Sequence, residues 1–263
     1  MNKENNRAFQ RILGVLGRSN SVNPLNAFDS ILVQGQRPIN DISNVAIGFD
    51  ANSILRLATH KKMDDILDII QVKKLLCIVP EQALQEFWNN ELAVADSVNR
   101  KIKTKVDEIK KYLSESGVYE AQEIKNIENE LIKLEANHGY LMDPKYREKT
   151  KNVFEFFSIA ATVVTTPRDK LIEIANLRKK TKTPPGFKDD GYGDFFCWVD
   201  LIFALMINRK KYNFENVLWV TSDKKMDWSR ESIPHPILSA EMKTLVGANL
   251  YTCDLDKLAE LAS

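Results

Sequence analysis

Four carboxylates come from four separate parts of this 263-residue chain, and each stands where an apolar run ends or a helix begins. Asp50 closes the run VAIGF, Glu86 lies in EQALQEFWNN behind the run LLCIVP, Asp194 sits at the mouth of YGDFFCWVD, and Asp223 closes ENVLWVTSD, with Asp227 one helical turn on. No His, Cys or Ser stands beside them to complete a nucleophilic triad. Carboxylates gathered without a counter-charge repel and raise one another's pKa. A divalent cation relieves that, and an all-oxygen donor set suits Mg²⁺ or Mn²⁺. One or two such ions polarise a phosphate, activate water and stabilise a leaving oxygen. Each acid also has a plainer reading: Asp at a helix start is commonly a cap, which applies to Asp194 and Asp223 taken singly. Asp200 lies six residues beyond Asp194, roughly 240° round a helix, so the two cannot face one ion; Asp200 reads as structural or surface.

The elements that must position these acids follow from periodicity. Residues 45–49, KKLLCIVP, ENVLWVTSD and GANLYTC are short apolar runs of strand length, separated by helical patterns such as Ile54, Leu57, Ala58 and Ile66, Ile69, Ile70. Strands alternating with helices predict an α/β fold, a doubly wound, mainly parallel, Rossmann-like sheet covered on both faces. Ligands of such sheets bind at the carboxyl ends of the strands, where the acids fall. An apolar helix base behind Asp194 would fix its direction, as a preorganised ligand requires.

Between Ser97 and His138 the pattern changes. Ile102, Val106, Ile109 and Leu113, then Ile124, Ile127, Leu131 and Leu134, mark narrow seams on either side of SESG, and predict an antiparallel helical hairpin. Its acidic and basic residues balance, so it reads as a structural hairpin or a docking arm for a protein partner or a second copy, rather than a grip on nucleic acid. REKTKNVFEFFSIAATVV and RDKLIEIANLRKK read as two further helices. Residues 1–44 are polar apart from an amphipathic patch at Phe9, Ile12, Leu13 and Leu16, and read as an N-terminal docking arm. The remainder, 45–263, reads as one domain with a helical insertion at about 97–180.

Net charge is +1, so recognition of a charged partner must come from local patches. One is RKKTKTPPGFK, where Lys179, Lys180, Lys182 and Lys188, with Arg178, precede Asp194 and could hold phosphates; Lys224 and Lys225 follow Asp223. Trp88 and Trp228 could stack on bases, although packing is the commoner use. Cys77, Cys197 and Cys253 are scattered and read as buried thiols. No Cys/His spacing points to zinc. The polar N-terminus and the lack of a long apolar run predict a cytoplasmic protein without a membrane span.

GFDANSIL, PEQALQEFWNN, KDDGYGDFFCWVDLI and VLWVTSDKKMDW occur in the order found in PIN-like nucleases. The set looks most like the branch with a GDF…W third motif and a TxDKKxDW fourth, and LSAEMKTLVGANLYTCDLDKLAEL resembles that branch's closing segment. The resemblance covers roughly residues 45–260. It implies a metal-dependent endonuclease hydrolysing phosphodiester bonds, of RNA rather than DNA, with Mg²⁺ or Mn²⁺ held by Asp50, Glu86, Asp194 and Asp223. Glu86 matches the motif in preference to Glu81. Asp227 would be an auxiliary acid, and Asn52 and Thr221 would hold the Asp50 and Asp223 loops by hydrogen bonding. Many family members have Asn or Asp where this chain has Ser222. Two other functions stay open: an inactive PIN-like scaffold that binds partners through its hairpin, and a phosphatase with Asp50 as nucleophile, for which Asn52 stands where a second acid is usual.

Overall fold

The structure, a computed structural model, describes residues 2–23, 25, 39, 41–116, 121–138, 144–222 and 225–262. Five strands form one all-parallel sheet: β1 (Val45–Phe49), β2 (Leu76–Pro80), β3 (Ala161–Val164), β4 (Asn216–Val220) and, after a short hairpin, β7 (Asn249–Cys253). The hairpin pairs β5 (Ser229–Arg230) with β6 (Ile233–Pro234). Their spatial order is β3-β2-β1-β4-β7. β1 and β2 are buried at every position, as strands covered on both faces must be, and this is why they read as unbroken apolar runs.

β3 corrects the sequence reading, which ran AATVV on as the tail of a helix. The helix Pro144–Ala160 stops at Ala160, and the next four residues pair with β2 in the register Cys77 to Ala161. The strand is short and at the sheet edge, and none of its residues is fully buried, so no apolar run announces it. Its β-branched residues, Thr162, Val163 and Val164, are the signal that outweighed helical continuation.

β1 pairs with β2 on one side and with β4 on the other, so the winding direction reverses between β1 and β4. A doubly wound sheet opens a crevice at the carboxyl ends of such neighbours. The residues that follow these two strands are Asp50 and Thr221.

Helix α1 (Lys3–Leu16) buries Phe9, Ile12, Val15 and Leu16. It packs on the apolar helix Gly193–Asn208, with the Phe9 and Phe203 rings 6.3 Å apart, and Arg11 donates to the carbonyl of Thr244 at 2.6 Å. Helix α1 of the predicted arm therefore docks on its own chain. Residues 1–87 and 153–263 make one compact unit. Residues 88–152 make a second, which contains most of the helix Glu81–Ser116, the helix Ala121–His138 and the start of Pro144–Ala160. Within it Val106 is buried, whereas Ile109 is 43% and Ile127 38% exposed. The side chains of Ile102 and Leu134, and the SESG glycine Gly117, lie outside the described residues. Among the described residues no helix is long and apolar enough to cross a membrane.

Candidate active site

Asp50 leaves β1 and caps the helix Ala51–Leu57: its Oδ1 accepts from the Ser53 amide at 2.6 Å. Its Oδ2 accepts from the Thr221 hydroxyl, and the Asp50 amide donates to the carbonyl of Val220 at 3.1 Å. Thr221 is itself held by its amide on the Cys253 carbonyl at 2.8 Å. The cap and the site are therefore one arrangement, in which β1, β4 and β7 together fix the carboxylate. Thr221 thus bears directly on Asp50, whereas the Asp223 it precedes lies outside the described residues. Asn52 lines the same pocket, but among the described residues its side chain makes no hydrogen bond to the Asp50 loop.

Glu86 and Asp194 reach this pocket from two helices. Glu86 accepts from Gln82 Nε2 at 3.0 Å, one turn back along Glu81–Ser116. Its carboxylate lies against Gly193, where a Cβ would sit 2.1 Å from Glu86 Oε1. The glycine before Asp194 is thus required by close approach rather than by backbone angle. Asp194 stands in the first turn of Gly193–Asn208, whose N-cap is Tyr192 with no side-chain cap bond, so capping does not explain the aspartate. Its Oδ2 instead accepts from Trp228 Nε1 at 3.0 Å. Trp228 is buried, stacked on Trp219 at 5.4 Å and edge-on to Trp198 at 6.1 Å, so it packs and orients rather than presenting a face to a base.

Asp227 is fully buried and lies outside the pocket lining. Its Oδ2 accepts from the Gly186 amide at 3.0 Å, and its Oδ1 has no partner among the described residues. Gly186 has φ +75° and lies against Asp194, a conformation and a closeness that glycine alone meets without strain. Asp227 therefore clamps the loop that backs Asp194.

Sequence reasoning missed Asp189, which lines the pocket with Asp50, Glu86, Asp194 and Lys225 around about 260 Å³. Lys225 Nζ lies 2.8 Å from Asp189 Oδ2 and 3.5 Å from Asp194 Oδ2. Asp189 and Asp190 stand adjacent in KDDGYGD, and only the fold shows which faces inward. Burial pushes the Asp194 carboxyl up to about 7, helped by a hydrogen bond with Asp189 and opposed by Lys225 and Trp228. Burial also opposes ionisation of Asp189, but the bond with Asp194 and the Lys225 ammonium overcome it and hold that carboxyl below its usual range. Glu86 is raised by burial and by Asp50, against the Gln82 bond and Lys225. Asp50, Glu86, Asp189 and Asp194 thus line one pocket, with Asp194 and Glu86 raised and Asp189 lowered. Among the described residues no three of them stand close enough together to form a ready metal site, and Asp223 and Lys224 lie outside the described residues.

Other acids serve the frame. Asp200 is fully buried and paired with Arg168 at 2.6 Å, with Thr166 donating to it at 2.7 Å. Glu81 reaches the same arginine at 3.4 Å and does not line the pocket. Of the basic loop, Arg178 is withdrawn from any phosphate: it is buried on Glu241 at 2.8 Å, which also accepts from Trp198 Nε1 at 3.0 Å. Lys180, Lys182 and Lys188 are exposed, and Lys179 donates to the Asp190 carbonyl at 2.5 Å.

The molecule is a doubly wound α/β protein with an acid pocket at its switch point. A family model described as "PIN like domain" matches residues 122–237, and the five-stranded all-parallel sheet is consistent with the doubly wound fold of that family. The matched segment contains Asp189, Asp194, Asp223 and Asp227 but neither Asp50 nor Glu86, and it does not single out a branch of the family. No curated protein and no solved structure matches the chain.

Proposed function

We propose that the chain is a metal-dependent endonuclease that hydrolyses phosphodiester bonds of single-stranded nucleic acid, RNA in preference to DNA. One observation carries the reading: Asp50, Glu86 and Asp194, from three separate elements, face one pocket at the switch point of the sheet. PIN-like domains are often nucleases, which accords with it. Asp50, Glu86, Asp194 and Asp189 would hold Mg²⁺ or Mn²⁺, with Asp223 as a further ligand. When bound, the cation would neutralise charge on the phosphodiester and activate the attacking water. The chain's own residues set the place of reaction. Thr221 and the Ser53 amide orient Asp50, Trp228 orients Asp194, Asp227 holds the loop behind it, and Gly193 leaves room for Glu86. Lys180, Lys182 and Lys188 would meet phosphates beside the pocket. Three buried free thiols favour a reducing, cytosolic setting.

A second reading has one observation in its favour. Lys225 already compensates Asp189 and Asp194, as it would in a PIN-like scaffold that binds partners without catalysis. One assay separates the two. Mixed-sequence RNA and DNA strands are incubated with the protein in Mn²⁺, in Mg²⁺ and in EDTA, with Asp50→Asn as control. Cleavage that EDTA abolishes, that metal restores and that Asp50→Asn lacks supports the nuclease. Undiminished cleavage in EDTA refutes the metal mechanism, and metal-independent partner binding without cleavage supports the scaffold.

A further inference from the structure

The acid pocket holds a cation of its own. Among the described residues that line it, four are carboxylates, Asp50, Glu86, Asp189 and Asp194, and one is a base, Lys225. The Lys225 ammonium lies 2.8 Å from Asp189 Oδ2 and 3.5 Å from Asp194 Oδ2. We infer that Lys225 is a tethered counter-cation: its ammonium takes up oxygens that a divalent ion would need, so metal is held only once the lysine side chain has left the pocket. The inference rests on the metal part of the nuclease reading and adds to it a competitor built into the chain.

The lysine is fixed at its backbone and free to move at its tip. The amides of Trp228 and Ser229 donate to the Lys225 carbonyl at 3.0 Å and 3.2 Å. Trp228 is buried, and its Nε1 donates to Asp194 Oδ2 at 3.0 Å, the oxygen that also faces the ammonium. One tryptophan thus sets both the origin of the lysine and the carboxylate it meets, so the encounter is built into the fold. The side chains of Lys225 and Asp189 are both part-exposed, which leaves the ammonium a path to water. A four-carbon stem takes that path by rotating its own bonds, with no movement of the backbone.

The other paired acids of the fold show what a permanent pair looks like. Glu241 and Asp200 are fully buried, and each is neutralised by an arginine, Arg178 and Arg168. A guanidinium is weakly hydrated and grips a carboxylate with two donors, whereas an ammonium is a compact charge that water takes back readily. The chain has arginine where the acid is sealed and lysine where the acid is open. Occupation of the pocket is then exclusive. Mg²⁺ binds carboxylate oxygens at about 2.1 Å, so an ammonium on the same oxygens would stand within a few Å of a double positive charge. The Lys225 charge also acts on Glu86, so three of the four acids lose compensation when the lysine leaves and regain it from a divalent ion.

The test uses the full chain as wild type, Lys225→Met and Lys225→Arg. Lys210→Gln is the remote control, just beyond the far end of the helix Gly193–Asn208, where Lys210 pairs with Glu4. Binding of Mn²⁺ alone is titrated by the electron paramagnetic resonance of the free ion. Reductive methylation of lysine amines is mapped by mass spectrometry with and without Mg²⁺ at matched ionic strength. Lys225→Met should bind Mn²⁺ on the order of tenfold more tightly than wild type, the combined worth of two part-exposed ion pairs near the upper end of their range. Lys225→Arg should bind it no more tightly than wild type, because the charge stays and the fork holds carboxylates in pairs. Lys210→Gln should leave the affinity unchanged. In wild type, Mg²⁺ should raise the labelling of Lys225 severalfold relative to Lys210, because the amine exchanges its carboxylates for water. Tighter Mn²⁺ binding by Lys225→Met, with no strand of RNA or DNA cleaved by wild type, supports the counter-cation and removes the nuclease reading. Mn²⁺-dependent cleavage by wild type, with unchanged Mn²⁺ affinity in a Lys225→Met variant folded by circular dichroism, overturns the counter-cation and leaves the nuclease reading standing. Equal tightening in Lys225→Met and Lys225→Arg, labelling of Lys225 that Mg²⁺ does not alter, or no Mn²⁺ binding by wild type and Lys225→Met alike also overturns it.

Discussion

Replacing Asp194 with asparagine should make the metal-free protein more stable as it removes activity. In the folded chain the Asp194 carboxyl keeps its proton up to about 7, chiefly through burial and then through Asp189, against a usual value of 3.8. Between those two values the folded state binds more protons than the unfolded one. Stability on this account is fully present below the unfolded pKa, falls as pH rises, and is lost once pH passes the folded pKa. The difference between 3.8 and about 7, at about 1.36 kcal/mol for each tenfold change in proton affinity, sets a ceiling of about 4 kcal/mol. The Asp189 carboxyl, held below its usual range, returns part of this, and the Asp194 side chain is 21% exposed. A net gain of about 1–3 kcal/mol for Asp194→Asn above about pH 7 is expected, or roughly 3–10 °C in Tm for a chain of this size. Asparagine can still accept from Trp228, so packing is kept. Thermal melts in EDTA from about pH 4 to pH 8 read the effect directly. The gap between variant and wild type should be near zero at the acid end and widest at the alkaline end, and added Mn²⁺ should stabilise wild type more than the variant. A gap that does not change with pH would refute the crowded-acid account and return Asp194 to an ordinary surface position.

Gly193→Ala places a methyl against Glu86, which can swing aside; melting should move little while metal-supported cleavage falls at least about tenfold, which paired melts and single-turnover rates will show. Glu241→Ala leaves Arg178 buried without its partner and Trp198 without an acceptor, so urea melts should register a loss of about 3–5 kcal/mol, far more than for an exposed pair such as Lys210 with Glu4. Neutralising Lys179, Lys180 and Lys182 together should flatten the salt slope of single-strand binding by about 1.4 rather than 2, because Lys179 is already engaged on the Asp190 carbonyl; no change in slope would leave the loop merely solvated.

The sheet was legible because its interior strands are covered on both faces, so that β1 and β2 had to be apolar throughout and β4 from Val217 on. The edge strand β3 was hidden for the converse reason: with neither face sealed, ATVV carries no run of its own. Asp50 and Asp194 could be read from their places at element ends. Asp189 could not, since two adjacent aspartates on an irregular loop differ only in which one the fold turns inward. Charge was the least legible property. Arg178 and Lys179 are neighbours in a basic run, yet one is buried in a salt bridge and the other lies over the Tyr192 ring. Solvation and burial, which no local pattern records, decide between those fates.

That difference also explains how a crowded carboxylate is kept in place. The helix Gly193–Asn208 begins with the residue most opposed to burial, and nothing at its N-cap offsets the cost. Along the same helix, Trp198 donates to Glu241, which Arg178 neutralises, and Asp200 is neutralised by Arg168. Trp198 is one turn beyond Asp194 and Asp200 lies on a different side, so the two attachments resist rotation of the helix about its axis in both directions. Arg178 also donates to the carbonyl of Pro184, tying the same network to the loop that carries Gly186 and Asp189. Buried ion pairs add little net stability compared with apolar packing, but they accept only one geometry. Here that geometry is the rotation of one helix, and it is what turns Asp194 toward Asp189, Glu86 and Asp50 instead of letting it swing out to water.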